Sequence, residues 1–209
     1  MRVGQVVLVR HGQASFGTED YDVLSPLGEQ QAELVGRALA GLRPDLVLHG
    51  SMRRQRETAV IAAKAAGWDA PIECDERWDE FELAGSAARM ASRERDGAQA
   101  FQRWYEQATD RWLAGAHEPG DEPRADFVAR VTAALARAAE VPTAVVVTSG
   151  GPVATIAAEL LEGGAAAYRR LMPAMVNTSV TQVVSGRRGM TLLSWNTHQH
   201  LAREQVSYR

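Results

Sequence analysis

Short continuous runs of aliphatic residues, each ending in a polar or glycine-rich loop, constrain the fold of this sequence more than any other feature. The runs are Val6–Val9, Leu46–Leu48 and Ala144–Val147, and none of them alternates with polar residues. Continuous runs of this kind are typical of strands that are buried on both faces of a parallel sheet. We therefore predict an α/β protein in which helices cover a central sheet on both sides, as three α/β/α layers.

Helical patterns lie between these predicted strands. Ser25 followed by Pro26 predicts a helix start, because the hydroxyl group can cap free amide groups and proline suits the first helical position. The apolar pattern continues to Gly41, and a second helix is predicted from about Met52 to Ala66. The repeated order of strand, loop and helix favours parallel strands joined by helical crossovers.

Two further strand-like runs near the C-terminus, Val180–Val184 and Met190–Trp195, are separated by a short loop with glycines. This spacing predicts a β-hairpin, so the central sheet is expected to be mixed but mostly parallel. The exposed edge of such a hairpin is also a candidate surface for a homodimer. We find no internal repeat or linker and predict one domain over residues 1–209, with a helical cap or insertion at about residues 84–124.

Charge and composition narrow the classes of partner. The formal net charge is −3 and the isoelectric point is about 6.0, which gives no general attraction for nucleic acid. No apolar run approaches the roughly 18 residues of a membrane span. Cys74 is the only cysteine, and the N-terminal residues lack the long apolar stretch of a secretory signal. These features predict a cytoplasmic protein without nucleic-acid or membrane partners, in which any anion site depends on a local cluster of arginines.

The loops after the three predicted strands contain the residues that can carry chemistry: Arg10–Gly12, His49–Ser51 and Ser149–Gly151. In open α/β sheets, ligands bind beyond the carboxyl ends of the strands, so these loops are expected to converge. Two guanidinium groups there can clamp a phosphoryl group, and their positive charge favours a neutral, nucleophilic imidazole. His11 is therefore a candidate covalent nucleophile.

Ordered motifs give the chain a resemblance to the histidine phosphatase superfamily, which includes the cofactor-dependent phosphoglycerate mutases. Arg10–Gly12 matches the Arg-His-Gly signature of that family, and Ser25–Ala32 matches its Leu-Thr-x-x-Gly-x-x-Gln-Ala segment. Met52–Ala59 matches the stretch Leu-x-Arg-x-x-x-Thr-Ala and includes Arg54. Weaker C-terminal matches extend the resemblance to residue 201, and the order and spacing of these motifs are specific in combination.

The resemblance implies a phosphoglycerate mutase-like fold and a two-step reaction on a small phosphorylated substrate. His11 would take the phosphoryl group, Glu80 would protonate the leaving oxygen, and water would then release phosphate from the phosphohistidine. Glu82 is an alternative to Glu80 as the acid. Arg10 and Arg54 would hold the phosphoryl oxygens, and the scheme needs neither a metal nor a cofactor.

One position departs from the family pattern. The third strand of family members normally ends in Ser-His-Gly-Gly, whereas this chain has Thr148, Ser149, Gly150 and Gly151. A serine hydroxyl can donate a hydrogen bond but carries no positive charge, so stabilisation of the transition state is expected to be weaker. Ser149 and Gly150 are still expected to contact the phosphoryl group, and His49 is a candidate for a compensating imidazole.

The predicted function is that of a metal-independent hydrolase of the histidine acid phosphatase type, weakened by the loss of the second histidine. The missing histidine also leaves open a non-catalytic module with a degenerate site that binds phosphate ligands, although a pure binder would not need an acid beside its nucleophile. A phosphoglycerate mutase is less favoured, because 209 residues leave little room for the insertions and tail of the family's mutases.

Overall fold

A computed structural model of the protein describes residues 4–15, 22–83 and 98–208. Its strands are β1 (Gly4–Arg10), β2 (Leu46–His49), β3 (Ile72–Cys74), β4 (Thr143–Thr148), β5 (Val180–Gly186) and β6 (Gly189–Thr197). Its α-helices are α1 (Pro26–Ala38), α2 (Arg53–Ala66), α3 (Ala98–Leu113), α4 (Arg124–Ala138), α5 (Gly150–Leu160) and α6 (Gly164–Leu171). Within the described residues, three 3-10 helices of three residues each span Glu76–Trp78, Met172–Ala174 and Arg203–Gln205.

The strands form one sheet in the order β3-β2-β4-β1-β5-β6. β1 and β2 both pair parallel with β4, and β3 pairs parallel with β2. β5 runs antiparallel to β1 and β6 antiparallel to β5, as the predicted hairpin requires. Helices lie on both sides of the sheet, which confirms the three-layer fold and the mixed, mostly parallel sheet.

The centre of the sheet consists of the continuous aliphatic runs. Val7, Val47 and Val145, one from each of three neighbouring strands, are fully or almost fully buried in a common apolar cluster. Because both faces of these strands are covered, no polar alternation is needed along them. In contrast, β3 is an exposed edge strand of three residues, and the sequence analysis missed it because it lacks an apolar run.

The predicted helix starts are confirmed. The Ser25 hydroxyl accepts a hydrogen bond of 3.0 Å from the amide of Gly28, and Pro26 is the first residue of α1. α2 begins at Arg53, one residue after the predicted start, and ends at Ala66 as predicted. It is followed by Gly67, whose φ of 68° belongs to the left-handed region that favours glycine after a helix.

Two glycines allow the loop after β1 to lie directly against α1. A Cβ atom at Gly12 would lie 2.4 Å from the carbonyl oxygen of Gly28, and one at Gly28 would lie 2.1 Å from the carbonyl oxygen of Gln13. Both contacts are with main chain, which cannot rotate away as a side chain can. The main chain that follows His11 is therefore fixed by close packing against the helix.

Contacts divide the chain into two compact units, Met1–Glu80 with Val131–Arg209 and, separately, Phe81–Arg130. The first unit contains the sheet. The second contains an aromatic cluster in which Phe81 stacks on Trp112 with ring centroids 4.4 Å apart, while Phe127 meets Trp112 edge-on at 5.4 Å. The single domain with a helical cap at about residues 84–124 stays a prediction, and residues 84–97 of that cap lie outside the described residues.

Candidate active site

His11 directly follows β1 and is 5% exposed. Its Nδ1 lies 2.7 Å from the carbonyl oxygen of Gly12, and its Nε2 lies 3.1 Å from Nε of Arg54. A carbonyl oxygen can only accept a hydrogen bond and a guanidinium group can only donate one. Nδ1 must therefore carry the proton, and Nε2 presents its lone pair.

The surroundings of His11 also favour the neutral ring. Burial lowers the pKa of His11 well below 6.5, and the positive charges of Arg54 and Arg10 lower it further, whereas the bond to the Gly12 carbonyl opposes the shift. Burial disfavours the charged imidazolium, and a nearby cation does the same by repulsion. His11 is therefore neutral at pH 7 and has the protonation state that a nucleophile requires.

Arg54 lies in the first turn of α2 and is 8% exposed. Its Nη1 forms an ion pair of 2.5 Å with Oδ1 of Asp22, and the other carboxylate oxygen of Asp22 accepts from the amide of Arg53 at 2.8 Å. Asp22 therefore orients the arginine that contacts His11. Asp22 is not predicted from the sequence as a site residue, because nothing there distinguishes it from the neighbouring acidic residues Glu19 and Asp20.

Arg10 is the last residue of β1 and is 8% exposed. Its Nη1 donates to the carbonyl oxygen of Met175, and its Nη2 donates to that of Tyr208 at 3.1 Å. Two nitrogens of Arg10 thus contact main-chain carbonyls of the C-terminal part of the chain. Its role in binding phosphoryl oxygens stays a prediction.

Ser149 lies directly before α5 and is 1% exposed. Arg10 is in register with Thr148 in the parallel pair of β1 and β4, and the amide of His11 donates to the Thr148 carbonyl at 2.8 Å. The two loops therefore lie side by side, as predicted. α5 begins at Gly150, and the N-terminus of a helix attracts anions because its first main-chain amides point toward them.

Glu80 contacts the first turn of α5. Its Oε2 accepts a hydrogen bond of 3.0 Å from the amide of Gly151, and a Cβ atom at Gly151 would lie 1.8 Å from its Oε1. Glu80 therefore contacts the residue two positions after Ser149, and both residues belong to the first unit. Glu82 is exposed and belongs to the second unit, where its carbonyl oxygen accepts from the amide of Glu122 at 2.9 Å. The choice of Glu80 as the acid stays a prediction.

His49 ends β2 and is 7% exposed, with its Nδ1 2.6 Å from the carbonyl oxygen of Gly50. It is in register with Val147, two residues before Ser149. The side chain that contacts Ser149 is instead Gln55, whose Nε2 donates to the Ser149 hydroxyl oxygen at 2.8 Å. The compensating role of His49 stays a prediction, and Gln55 is a second site residue that the sequence analysis missed.

Residues 4–15, 22–83 and 98–208 were searched for metal-binding groups and for membrane-spanning helices. Within these ranges, no group of three or more His, Cys, Asp or Glu side chains is arranged to hold a metal ion. None of the helices in the same ranges is both long and apolar enough to cross a bilayer.

A family model for the Histidine phosphatase superfamily (branch 1) matches residues 6–198, so the chain belongs to this superfamily. The resemblance inferred from the sequence motifs is thereby confirmed at the level of the family. Relatives with phosphatase and mutase names associate this family with phosphoryl transfer.

Two curated relatives illustrate the range of the family. The chain is 28% identical over 188 residues to a probable phosphoglycerate mutase GpmB of Salmonella paratyphi C, covering 86% of this chain and 84% of that protein. It is 34% identical over 139 residues to the glucosyl-3-phosphoglycerate phosphatase of Mycolicibacterium vanbaalenii, covering 62% of this chain and 57% of that enzyme.

Solved structures share the fold. A mycobacterial glucosyl-3-phosphoglycerate phosphatase superposes with a TM-score of 0.67 and 26% identity, covering 94% of this chain and all of that one. YhfR of Bacillus stearothermophilus superposes with a TM-score of 0.75 over 94% of this chain and 98% of that one, at 22% identity.

Proposed function

We propose that this protein is a phosphatase that hydrolyses a small phosphomonoester through a phosphohistidine at His11. The observation that carries the proposal is the state of this side chain. It is buried and neutral, its Nδ1 proton is held by the Gly12 carbonyl, and its Nε2 lone pair lies beside the guanidinium group of Arg54. An imidazole fixed in this tautomer is ready to attack a phosphorus atom held by that arginine.

In the first step, Nε2 of His11 bonds to phosphorus while the bond from phosphorus to the leaving oxygen breaks. Glu80 gives its proton to that oxygen, so the product departs as a neutral alcohol. In the second step, a water molecule attacks phosphorus, the bond to Nε2 breaks, and the carboxylate of Glu80 takes the proton of the water. Phosphate leaves, and His11 and Glu80 return to their starting states.

Positive charge and hydrogen-bond donors stabilise the phosphoryl oxygens through both steps. Arg54, Arg10, the Ser149 hydroxyl and the amide of Gly150 supply them, and in this scheme side chains and main chain fill each role without a metal. His49 is the candidate for a second imidazole, although Gln55 rather than His49 contacts Ser149 in the structure.

Hydrolysis is supported over mutase chemistry by the similarity to two phosphatases, one by sequence and one by structure. Similarity to a probable mutase keeps transfer between positions of one substrate as an alternative.

We also propose a cytoplasmic location and no nucleic-acid partner, from the single cysteine and the charge. A homodimer through the β6 edge, where Leu193 is 60% exposed, is a further proposal that sedimentation velocity tests.

The test is an assay of phosphate release from a panel of phosphorylated metabolites and one aryl phosphate, with His11→Ala as the inactive variant. His117→Ala is the matched control, because His117 is an exposed histidine in a loop of the second unit. We expect wild type and the control to be active, with and without excess EDTA, and an acid-labile phosphoprotein to form in both of them but not in His11→Ala.

Two results would contradict the proposal. Activity in His11→Ala equal to wild type would remove the nucleophile. Tight binding of phosphate without turnover of any compound would favour the non-catalytic binding module, which the serine at position 149 keeps open.

A further inference from the structure

The side chain of Gln55 lies entirely out of solvent at the position where this chain departs from its family. It is 0% exposed, and its Nε2 lies 2.8 Å from the Ser149 hydroxyl oxygen and 3.3 Å from the main-chain carbonyl oxygen of Trp78. Gln55 follows Arg54 on α2 and lies 94 positions before Ser149 in the sequence. Gln55 has no role in the phosphohistidine mechanism proposed for His11 and Glu80.

The carbonyl of Trp78 determines which way the amide of Gln55 faces. A carbonyl oxygen has no proton to donate, so the amide nitrogen, not the amide oxygen, must face it. The same nitrogen then donates to the Ser149 hydroxyl oxygen. Thr148 donates its hydroxyl proton to the same Trp78 carbonyl, which holds that carbonyl in place.

This arrangement decides the direction of the Ser149 hydroxyl group. Because its oxygen accepts from Gln55, its own proton is directed elsewhere, and Ser149 makes no other side-chain hydrogen bond within the described part of the chain. Ser149 directly precedes α5 and directly follows Thr148, which is in register with Arg10 and accepts a hydrogen bond from the amide of His11. A proton on the Ser149 oxygen can therefore be donated to a phosphoryl oxygen bound between Ser149 and His11.

The arrangement leaves one polar atom of Gln55 unpaired in the part of the chain that the structure describes, which is not expected of a glutamine with only a structural role. Oε1 of Gln55 is buried and has no hydrogen-bond partner among the described residues. A buried unpaired acceptor destabilises the folded state, and a leucine of similar size would avoid this. A half-satisfied buried amide is the kind of local conflict that is found at functional sites.

We infer that Gln55 is a positioning residue that makes Ser149 a hydrogen-bond donor to the phosphoryl group. This inference rests on the proposed function, since it names how the site works without the family's second histidine. Gln55 does not touch the substrate and acts only through the hydroxyl group of Ser149. Ser149 in turn supplies a fixed, neutral donor in place of a charged imidazole.

A double-mutant cycle tests this dependence. Gln55→Leu and Ser149→Ala should each lower kcat/KM by about 10-fold, less than the ~10²–10³ lost with an oxyanion-hole donor, because the hydroxyl group is a single neutral one. If Gln55 acts through Ser149, the double variant should be no more than about twofold below Ser149→Ala. If Gln55 only supports packing, the two losses should multiply to about 100-fold, which would overturn the inference.

Controls separate folding from function. Arg56→Leu changes the next residue of α2, which is exposed, and should leave kcat/KM and the melting temperature unchanged. Gln55→Met keeps the length of the side chain without its amide and replaces Gln55→Leu in the cycle if the leucine variant does not fold. Each variant is used only if its near-ultraviolet circular dichroism matches that of wild type.

A second readout makes the result independent of turnover. The dissociation constants of orthovanadate and inorganic phosphate are measured by calorimetry for the same four proteins. If wild type binds these anions without turning over any substrate, the phosphatase proposal fails, but non-additive losses of affinity would still support the role of Gln55. Additive losses of affinity, or no binding of either anion by wild type, would overturn the inference.

Discussion

At the scale of single residues, the candidate site contains groups that can only donate or only accept a hydrogen bond, and these groups fix the state of their neighbours. The Gly12 carbonyl can only accept and the Arg54 guanidinium group can only donate, so together they select one tautomer of His11. The Trp78 carbonyl fixes the Gln55 amide by the same logic. Directional partners of this kind prepare a site before the substrate arrives, which lowers the cost of reorganisation during the reaction.

The lowered pKa of His11 predicts the acid limb of the pH profile. In the proposed mechanism His11 attacks as the neutral imidazole, and a lowered pKa keeps the ring neutral as the pH falls. We therefore expect kcat/KM to fall on the acid side only well below pH 6.5. An imidazole titration followed by NMR should show the same pKa, and Arg54→Gln should raise it by removing a positive charge. An acid limb at or above pH 6.5 would contradict the assignment.

The contact between Gln55 and Ser149 predicts how a restored histidine would behave. Ser149 is 1% exposed and its oxygen lies 2.8 Å from Gln55, so Ser149→His alone should overpack the site and cost about 1–3 kcal/mol of unfolding free energy. Adding Gln55→Ala should recover most of this loss.

The double variant should also hydrolyse an aryl phosphate several-fold faster than wild type, because an imidazole adds a charged donor. Gln55→Ala alone is the control and should be less active than wild type. A double variant no more stable than Ser149→His would show that Gln55 does not occupy the space that the new imidazole requires.

At the scale of elements, the site is assembled where the ends of β1 and β4 meet the first turns of α2 and α5. The parallel pairing of β1 with β4 brings His11 beside Ser149, and α2 contributes Arg54 and Gln55 from one turn. α5 begins with two glycines, and the second of these, Gly151, leaves the space that Glu80 occupies. Helix N-termini at the carboxyl end of a sheet favour a bound anion.

Gly151→Ala tests this use of α5. The new Cβ would lie 1.8 Å from Oε1 of Glu80, and this carboxylate is the end of a flexible side chain that can rotate away. We expect kcat to fall by about 10-fold or more, since a positioned general acid contributes ~10²–10⁴. Unfolding free energy should change by less than about 1 kcal/mol.

Gly41→Ala is the matched control, because no atom lies within 4 Å of its new Cβ, and it should keep full activity. Thermal melts and steady-state kinetics of both variants decide the outcome. Unchanged kcat in Gly151→Ala would show that the observed position of Glu80 is not needed for the reaction.

At the scale of the whole molecule, the last residues of the described chain form hydrogen bonds with its first strand and first helix. The side-chain amide of Gln31 donates to the Gln205 carbonyl at 2.7 Å and to the Ser207 hydroxyl at 2.9 Å. The main-chain amide of Asn177 donates to the Ser207 carbonyl at 2.8 Å, and the guanidinium group of Arg10 donates to the Tyr208 carbonyl. The C-terminal segment therefore connects α1, the end of β1 and the residues before β5.

His200, which lies in this C-terminal region, links global stability to pH. Its Nε2 lies 3.2 Å from the Thr178 hydroxyl group, and burial, followed by the charge of His198, lowers its pKa from 6.5 to about 4. Between pH 6.5 and about 4, His200 is protonated in the unfolded chain but stays neutral in the folded protein. The stabilising contribution is thus complete above pH 6.5 and is lost as the pH falls toward about 4.

Urea unfolding between pH 7 and pH 4 measures this effect. His11 contributes with the same sign, so wild type should lose stability over this range, and His200→Gln should lose less. His117→Gln, which changes an exposed histidine, should follow wild type. Equal slopes for His200→Gln and wild type would show that His200 does not resist protonation.

Local patterns in the sequence determined the strands and helices that form the frame of this protein. Continuous apolar runs, the Ser25–Pro26 helix start and the glycines of the loops act over a few residues, so their effects are readable without a fold. The order and spacing of the motifs Arg10–Gly12, Ser25–Ala32 and Met52–Ala59 together likewise pointed to the family. The short edge strand β3 was missed because an exposed three-residue strand has no pattern of burial to reveal it.

Only the tertiary structure decided which side chains complete the site. The contacts of Asp22 with Arg54, of Gln55 with Ser149 and of Arg10 with Tyr208 join residues that are 32, 94 and 198 positions apart. A polar residue on a predicted helix has the same local signature whether it faces solvent or a buried hydroxyl group. The difference arises from strand order and burial, because the order of the strands brings distant residues together and the exclusion of water makes their hydrogen bonds directional and obligatory.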